Sequence, residues 1–270
     1  MMKTLYITDL DGTLLTSVPD ISRYTADTIN RLVKNGVLFS YATARSNHTA
    51  GPLTRAIHGN IPVIIYNGAF ILDHATGQIL SATYFERAEC DEVFAALGKI
   101  HPIVYAFTDG VERFSYADPL INAETRDFVN SRIGDPRRTP VKDPTALRAG
   151  HIFYFTCIGD ERTLFPAYEV LRDKYTCVYQ RDIYSGCQWL EIMPAGVSKA
   201  SAILKLKALL NCERVVSFGD GKNDIPMFEI SDACYAVANA AEELKAIATG
   251  IIGSNNEDGV AKWLERNATV

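Results

Sequence analysis

Short apolar segments alternate with longer amphipathic segments in the first 72 residues of the chain. The apolar run 4–8 is followed by a stretch in which Ser22 is suited to cap a helix and Gly36 is suited to end it. Two further strands, 37–42 and 62–66, flank a helix predicted near 46–57. Strands that alternate with helices of this length predict a mostly parallel, doubly wound α/β sheet of the Rossmann-like kind.

The same alternation returns in the last third of the chain. Strands are predicted at 214–218, 234–238 and 250–252, and helices at 197–210, 224–230, 240–248 and 258–266. Because both ends of the chain have one pattern, we expect them to form a single parallel core.

The middle of the chain has a different pattern, with strands in closer succession. They are predicted at 103–108, 112–116, 151–158, 176–180 and 188–192, with helices near 89–99, 121–131 and 161–174. The polar segment 134–140 contains two prolines and is predicted to be an exposed loop. Close strand spacing favours an antiparallel α+β domain, which we expect at 82–191, inserted into a core of 1–81 and 192–270.

The composition is that of an ordinary globular protein. The chain has 270 residues, of which 47% are hydrophobic and 22% charged. Its net charge is −5, which argues against binding to nucleic acid or to an anionic membrane. The six cysteines are scattered and lack the spacing of a zinc site, so free thiols are expected. With no signal-peptide pattern and no long apolar span, the sequence predicts a cytoplasmic protein.

Polar side chains of matching chemistry follow the predicted core strands. Asp9 and Asp11 follow the first strand, Thr43 the second, and the segment 219–224, with Asp220 and Asp224, a later one. Lys199 begins the preceding helix. Ligands of open parallel sheets bind at the carboxyl ends of the strands, so we expect these groups to converge. Clustered carboxylates favour a hard cation such as Mg²⁺, and a hydroxyl, an ammonium and N–H groups suit a phosphoryl group.

Each of these features is common by itself: Asp-Gly forms turns, and Lys199 alone suits a solvated helix. The segment 219–224 lacks the spacing of a Walker A loop. Their shared position at one sheet edge nevertheless favours a functional site.

Four of these segments resemble, in order and spacing, the motifs of haloacid dehalogenase (HAD)-like hydrolases: DLDGTLL, the Thr of YATAR, the Lys of PAGVSK, and GDGKNDIPM. The turn at 67–69, the segment 236–240 and the position of the insertion resemble the Cof-type branch, in which the inserted domain is an α/β cap. Ala44 departs from that branch, which usually has Gly after the motif Thr.

The resemblance implies a role for each matching residue. Asp9 would be the nucleophile that forms an aspartyl-phosphate, and Asp11 the general acid and base. The phosphoryl oxygens would be held by Thr43, Lys199, Asn223 and the backbone N–H groups of Leu10 and Ala44. Mg²⁺ would be bound by the Asp9 carboxylate, the Asp11 carbonyl and Asp220, with Asp224 as a further or outer ligand.

The expected activity is Mg²⁺-dependent hydrolysis of a small organic phosphate monoester, by a monomer or weak homodimer that uses no nucleic acid or membrane partner. Two alternatives stay open: a phosphomutase with the same residues, and a non-catalytic protein that binds phosphorylated metabolites. The cap offers aromatic and basic side chains: Tyr105, Arg113, Tyr116, Tyr184 and Trp189. We expect most of the aromatic ones to pack in its core. Arg45 and Asn47 are expected to face the cap.

Overall fold

A computed structural model describes residues 2–59, 61–181 and 186–269 of the chain. Tyr184 lies outside these residues. The chain divides into two compact units: Met1–Ala82 with Ser198–Val270, and Thr83–Val197. The first unit is therefore built from both ends of the chain.

The first unit contains a sheet of five parallel strands: β1 (Thr4–Thr8), β2 (Leu38–Tyr41), β12 (Arg214–Gly219), β13 (Ala233–Val237) and β14 (Gly250–Ile252). Their order is β14-β13-β12-β1-β2, and every pair is parallel. The prediction of a parallel α/β core is thus confirmed. Because β1 and β12 are neighbours at the centre, the loops after them emerge side by side.

Helices lie between or after these strands along the chain: α1 (Arg23–Lys34), α2 (Asn47–Thr54), α6 (Lys199–Leu209), α7 (Ile225–Glu229), α8 (Glu242–Ile247) and α9 (Gly259–Asn267). Local sequence explains where α1 begins and ends. The Ser22 hydroxyl accepts a hydrogen bond from the Thr25 N–H at 3.0 Å, and Gly36 follows α1 with a φ of 99°. The predicted N-cap and terminating glycine of this helix are confirmed.

The apolar run 62–66 forms a strand, β3 (Val63–Ile65), outside the main ladder. It pairs antiparallel with β4 (Phe70–Leu72), which pairs with β5 (Ile79–Ala82). One parallel β-bridge between Ala42 and Ile64 joins β3 to the end of β2. An apolar run predicts a buried strand, but the tight turn at 66–68 gives β3 an antiparallel partner that the alternation of elements did not indicate.

The second unit is built on a six-stranded sheet of order β10-β11-β9-β6-β7-β8. Its strands are β6 (Ile103–Thr108), β7 (Val111–Ala117), β8 (Arg138–Val141), β9 (His151–Gly159), β10 (Thr176–Arg181) and β11 (Gln188–Met193). Its helices are α3 (Arg87–Leu97), α4 (Ala123–Asn130) and α5 (Glu161–Leu171). All pairs are antiparallel except β7 with β8, which agrees with the predicted α+β character.

The prediction of an exposed loop at 134–140 is wrong in its second half. Arg138 begins β8, which is an edge strand and therefore tolerates Pro140. Arg137 is buried because its guanidinium is paired with Glu112 at 2.5 Å and with Asp135 at 2.7 Å. A buried arginine needs such partners, and Glu112 comes from the neighbouring strand β7.

Aromatic side chains of the second unit pack mainly against its own sheet. Tyr116 belongs to a buried cluster with Ile103, Phe114 and Val129, and Tyr105 and Trp189 are partly buried against it. The expectation of core packing holds for these three aromatic residues.

The six cysteines, all among the described residues, are not joined by disulfide bonds. No helix among the described residues combines the length and the apolar character needed to cross a membrane.

Candidate active site

The loop after β1 places Asp9 at the centre of the sheet edge. The Asp9 N–H donates to the Phe218 carbonyl of β12 at 2.9 Å, and the Asp9 side chain is buried. The chain then turns at Gly12, whose φ is 73°. A Cβ at this position would lie 2.3 Å from Asp220 Oδ2, so glycine is required both for the turn and for the close approach of Asp220.

Lys199 is positioned by the start of α6. The Ser198 hydroxyl caps this helix by accepting a hydrogen bond from the Ser201 N–H at 3.1 Å. The ammonium of Lys199 lies 2.5 Å from Asp9 Oδ1 and 2.7 Å from Asp224 Oδ1. Its side chain is 1% exposed, so this cation and its two carboxylates form a buried network.

A strained turn brings α6 against the end of β2. Tyr66, Asn67 and Gly68 all have positive φ values, of 50°, 51° and 105°. A Cβ on Gly68 would lie 2.1 Å from the Ser198 carbonyl oxygen, so only glycine permits this contact. The Asn67 N–H donates to the Thr43 carbonyl at 2.9 Å. The turn therefore holds Thr43 and the first residues of α6 in one place.

Asp224 organises the loop after β12. Its Oδ2 accepts hydrogen bonds from the backbone N–H groups of Asp220 at 3.0 Å and Gly221 at 3.1 Å, while its Oδ1 binds Lys199. Asp220 in turn accepts from the Thr13 hydroxyl at 3.1 Å. Both oxygens of Asp224 are thus engaged by the protein, and Asp220 is held from the first loop.

Three carboxylates and one ammonium leave a net negative charge in this buried site. Oxygen atoms of Asp9, Asp220 and Asp224 lie within 4.8 Å of one another. The pKa of Asp9 lies well above its usual value, chiefly because the carboxyl group is buried. Lys199 lowers this pKa, but burial and the neighbouring aspartates together raise it by more. Burial and the Asp224 carboxylate raise the pKa of Asp220 to about 6. Burial alone would lower the pKa of Lys199, but Asp224 and Asp9 outweigh it and raise that pKa. A small hard cation would relieve the repulsion among these oxygen ligands.

Asp11 lies apart from this cluster. Its carboxylate is half exposed and accepts two hydrogen bonds from Arg45, at 2.7 Å and 2.6 Å. Of the four residues predicted to hold the metal, the structure therefore brings three carboxylates together. Asp11 was predicted to contribute its backbone carbonyl, and the pairing of its side chain with Arg45 is compatible with that role.

Apart from Lys199, the predicted phosphate-binding residues lie in the loops that follow β1, β2 and β12. Thr43 is buried, and its hydroxyl accepts a hydrogen bond from the Arg45 N–H at 3.1 Å. Ala44 is exposed, Leu10 is fully buried, and Asn223 is partly exposed in the turn after β12.

Three positioning contacts of the site were not predicted from the sequence. Thr13 binds Asp220, Asn239 Nδ2 donates to the Gly12 carbonyl at 2.8 Å, and Arg45 binds Asp11. Thr13 and Asn239 lie inside segments that match the family motifs, and this match could have pointed to a role for both residues. Nothing in the sequence indicated the partner of Arg45.

A family model described as haloacid dehalogenase-like hydrolase matches residues 6–264. A putative phosphatase of Haemophilus influenzae is 29% identical over 272 residues, covering 98% of both chains. The Bacillus subtilis protein named 5-amino-6-(5-phospho-D-ribitylamino)uracil phosphatase YitU is 25% identical over 268 residues, with 95% of this chain and 94% of that protein covered. The crystal structure of TM0651 from Thermotoga maritima superposes with a TM-score of 0.79 at 23% identity, covering 100% of this chain and 99% of the other.

Proposed function

This chain belongs to the haloacid dehalogenase-like hydrolase family, as its motifs indicated, and from that premise we propose that it is a Mg²⁺-dependent phosphatase of small organic phosphate monoesters. The observation that carries the proposal is the buried cluster in which Lys199 contacts Asp9 and Asp224 while Asp220 lies beside them. A carboxylate nucleophile, a cation site and a phosphate-binding ammonium meet there at one sheet edge.

In the first step of the proposed reaction, an oxygen of the Asp9 carboxylate attacks the phosphorus atom. The new phosphorus–oxygen bond forms as the ester phosphorus–oxygen bond breaks, and the leaving oxygen takes a proton from Asp11. Burial of Asp9 excludes bulk water from this carboxylate.

In the second step, water attacks the phosphorus of the aspartyl-phosphate and gives its proton to Asp11. The bond between phosphorus and the Asp9 oxygen breaks, which releases inorganic phosphate and restores the Asp9 carboxylate, while Asp11 again carries the proton that the next first step uses. Asp11 thus alternates between acid and base within one turnover.

Lys199 and Thr43 would hold the phosphoryl oxygens together with Asn223 and the N–H groups of Leu10 and Ala44. An ammonium has three N–H donors, and two of those of Lys199 point at Asp9 and Asp224. The third is available to a phosphoryl oxygen, whose charge it would neutralise.

Mg²⁺ would be held by the Asp9 and Asp220 carboxylates and the Asp11 carbonyl, with Asp224 in the outer layer because both its oxygens are engaged. When bound, the ion supplies positive charge that lowers the repulsion between Asp9 and an anionic phosphate.

We assign catalysis to the first unit, since every proposed catalytic residue lies there, and substrate selection to the second unit, by analogy with the cap of the family. The substrate class is a small phosphorylated metabolite. The name of the Bacillus subtilis relative adds 5-amino-6-(5-phospho-D-ribitylamino)uracil to the sugar phosphates as a compound to test.

The proposal predicts release of inorganic phosphate from at least one ester in a panel of p-nitrophenyl phosphate, sugar phosphates and the ribitylaminouracil phosphate. Activity should disappear in EDTA and return with excess Mg²⁺, because the carboxylate cluster repels a phosphate when no cation is bound. Full activity in thoroughly chelated enzyme would contradict the metal assignment. Phosphoryl transfer without free phosphate would identify a mutase, and no turnover on any ester would favour a binding protein.

A further inference from the structure

Arg45 forms an ion pair with Asp11 and has no role of its own in the two proposed reaction steps. We propose that Arg45 is a positioning residue that holds Asp11 as the general base for the second step, the hydrolysis of the aspartyl-phosphate. This inference rests on the proposed function, because it assigns a step within that reaction.

The pair has a bidentate geometry. Arg45 Nε donates to Asp11 Oδ2 at 2.7 Å, and Arg45 Nη2 donates to Asp11 Oδ1 at 2.6 Å. A planar guanidinium that binds both oxygens fixes the plane of the carboxylate as well as its position. The Asp11 side chain is 51% exposed, so without such a partner it would be free to exchange between rotamers.

The backbone of Arg45 is itself held on both sides. Its N–H donates to the Thr43 hydroxyl at 3.1 Å, and its carbonyl accepts from the Tyr66 N–H at 3.0 Å. Tyr66 belongs to the strained turn that supports the start of α6. Arg45 therefore extends from a fixed point of the site, and its side chain is 28% exposed, less than that of Asp11.

The closed pair presents Asp11 as a hydrogen-bond acceptor, since both its carboxylate oxygens accept hydrogen bonds from Arg45. The second step uses Asp11 as an acceptor, because water gives it a proton as it attacks. The first step uses Asp11 as a donor, a role in which these two hydrogen bonds do not hold it. Arg45 should therefore matter for the second step.

Loss of Arg45 should separate the two steps kinetically. In Arg45→Ala, Asp11 would no longer be oriented toward the attacking water, and kcat for p-nitrophenyl phosphate should fall ~10- to 100-fold. The value of kcat/KM should change less than about threefold, because it reports the steps up to formation of the aspartyl-phosphate. A rapid burst of p-nitrophenolate, close to one per enzyme, should precede the slow steady state.

Two further measurements distinguish positioning from a general structural effect. Guanidinium chloride at non-denaturing concentration should restore part of kcat in Arg45→Ala, and Arg45→Lys should be intermediate because one ammonium cannot bind both oxygens in a fixed plane. Arg55→Ala is the matched control, since Arg55 is an exposed arginine just after α2 and should leave kcat unchanged. If Arg45→Ala does not fold, Arg45→Lys carries the test through its lowered kcat and its burst.

Unchanged kcat in both Arg45 variants, or an equal loss of kcat and kcat/KM with no burst, would place Arg45 outside the second step. Failure of the proposed function is a separate result, because wild-type enzyme would then release no phosphate before any Arg45 variant is compared.

Discussion

Phosphate release is expected to stop when Asp9 is replaced by Asn, with kcat reduced by ~10⁴-fold or more. The amide oxygen of Asn is a far weaker nucleophile than a carboxylate, whereas its shape is nearly the same. Asn can still accept the hydrogen bond from Lys199, so the buried network should persist and the protein should fold. The measurement is steady-state release of inorganic phosphate, with circular dichroism melting to verify folding.

Asp27→Asn is the matched control for this variant. The Asp27 side chain lies on α1 and is 71% exposed, so the same chemical change there should leave kcat unchanged. If Asp9→Asn kept turnover within about tenfold of the wild type, Asp9 would not be the nucleophile.

Replacing Lys199 by Met is expected to cost ~3–5 kcal/mol of the free energy of unfolding and most of the activity. Met fills a similar volume but carries no charge, so Asp9 and Asp224 would remain buried without their cation. Urea unfolding in EDTA measures this loss without interference from a bound metal. The exposed Lys205 on the same helix provides the control, and Lys205→Met should be within about 0.5 kcal/mol of the wild type.

A second substitution tests whether charge is the cause. Adding Asp224→Asn to Lys199→Met removes one of the unpaired carboxylates and should recover part of the lost stability. Equal stability of Lys199→Met and Lys205→Met would show that the buried ammonium contributes nothing to folding. A double variant even less stable than Lys199→Met would indicate that the hydrogen bonds that Asp224 accepts from the backbone of its own loop outweigh the effect of its charge.

The convergence of the site could be predicted because it depends on topology. Apolar runs delimit β1 and β12, and parallel pairing of these strands brings Asp9 and Asp220 to the same edge. Lys199 follows from the same reasoning, since a helix that precedes β12 begins near that edge. Spacing along the chain was sufficient for these residues.

The pairing of Asp11 with Arg45 could not be predicted in this way. It depends on side-chain orientation and on the turn at 66–68, whose positive φ values the pattern of apolar residues does not reveal. The buried Arg137 is a similar case, because its environment is created by Glu112 on another strand. In the sequence, a polar residue whose partner lies far along the chain looks the same as a residue exposed to solvent. For this reason a loop was wrongly predicted at the start of β8.

Asp9 is expected to carry the phosphoryl group during turnover, and covalent trapping detects this group on its side chain. Wild-type enzyme would be acid-quenched during turnover with Mg²⁺, reduced with borohydride and digested for peptide mass spectrometry. The Asp9 side chain should be reduced to that of homoserine, and this product should be absent without substrate or with EDTA and increased in Arg45→Ala. Two results would contradict a phosphorylated Asp9. One is active enzyme whose Asp9 stays unmodified under conditions where the Arg45→Ala burst is observed, and the other is active enzyme that is modified at another residue.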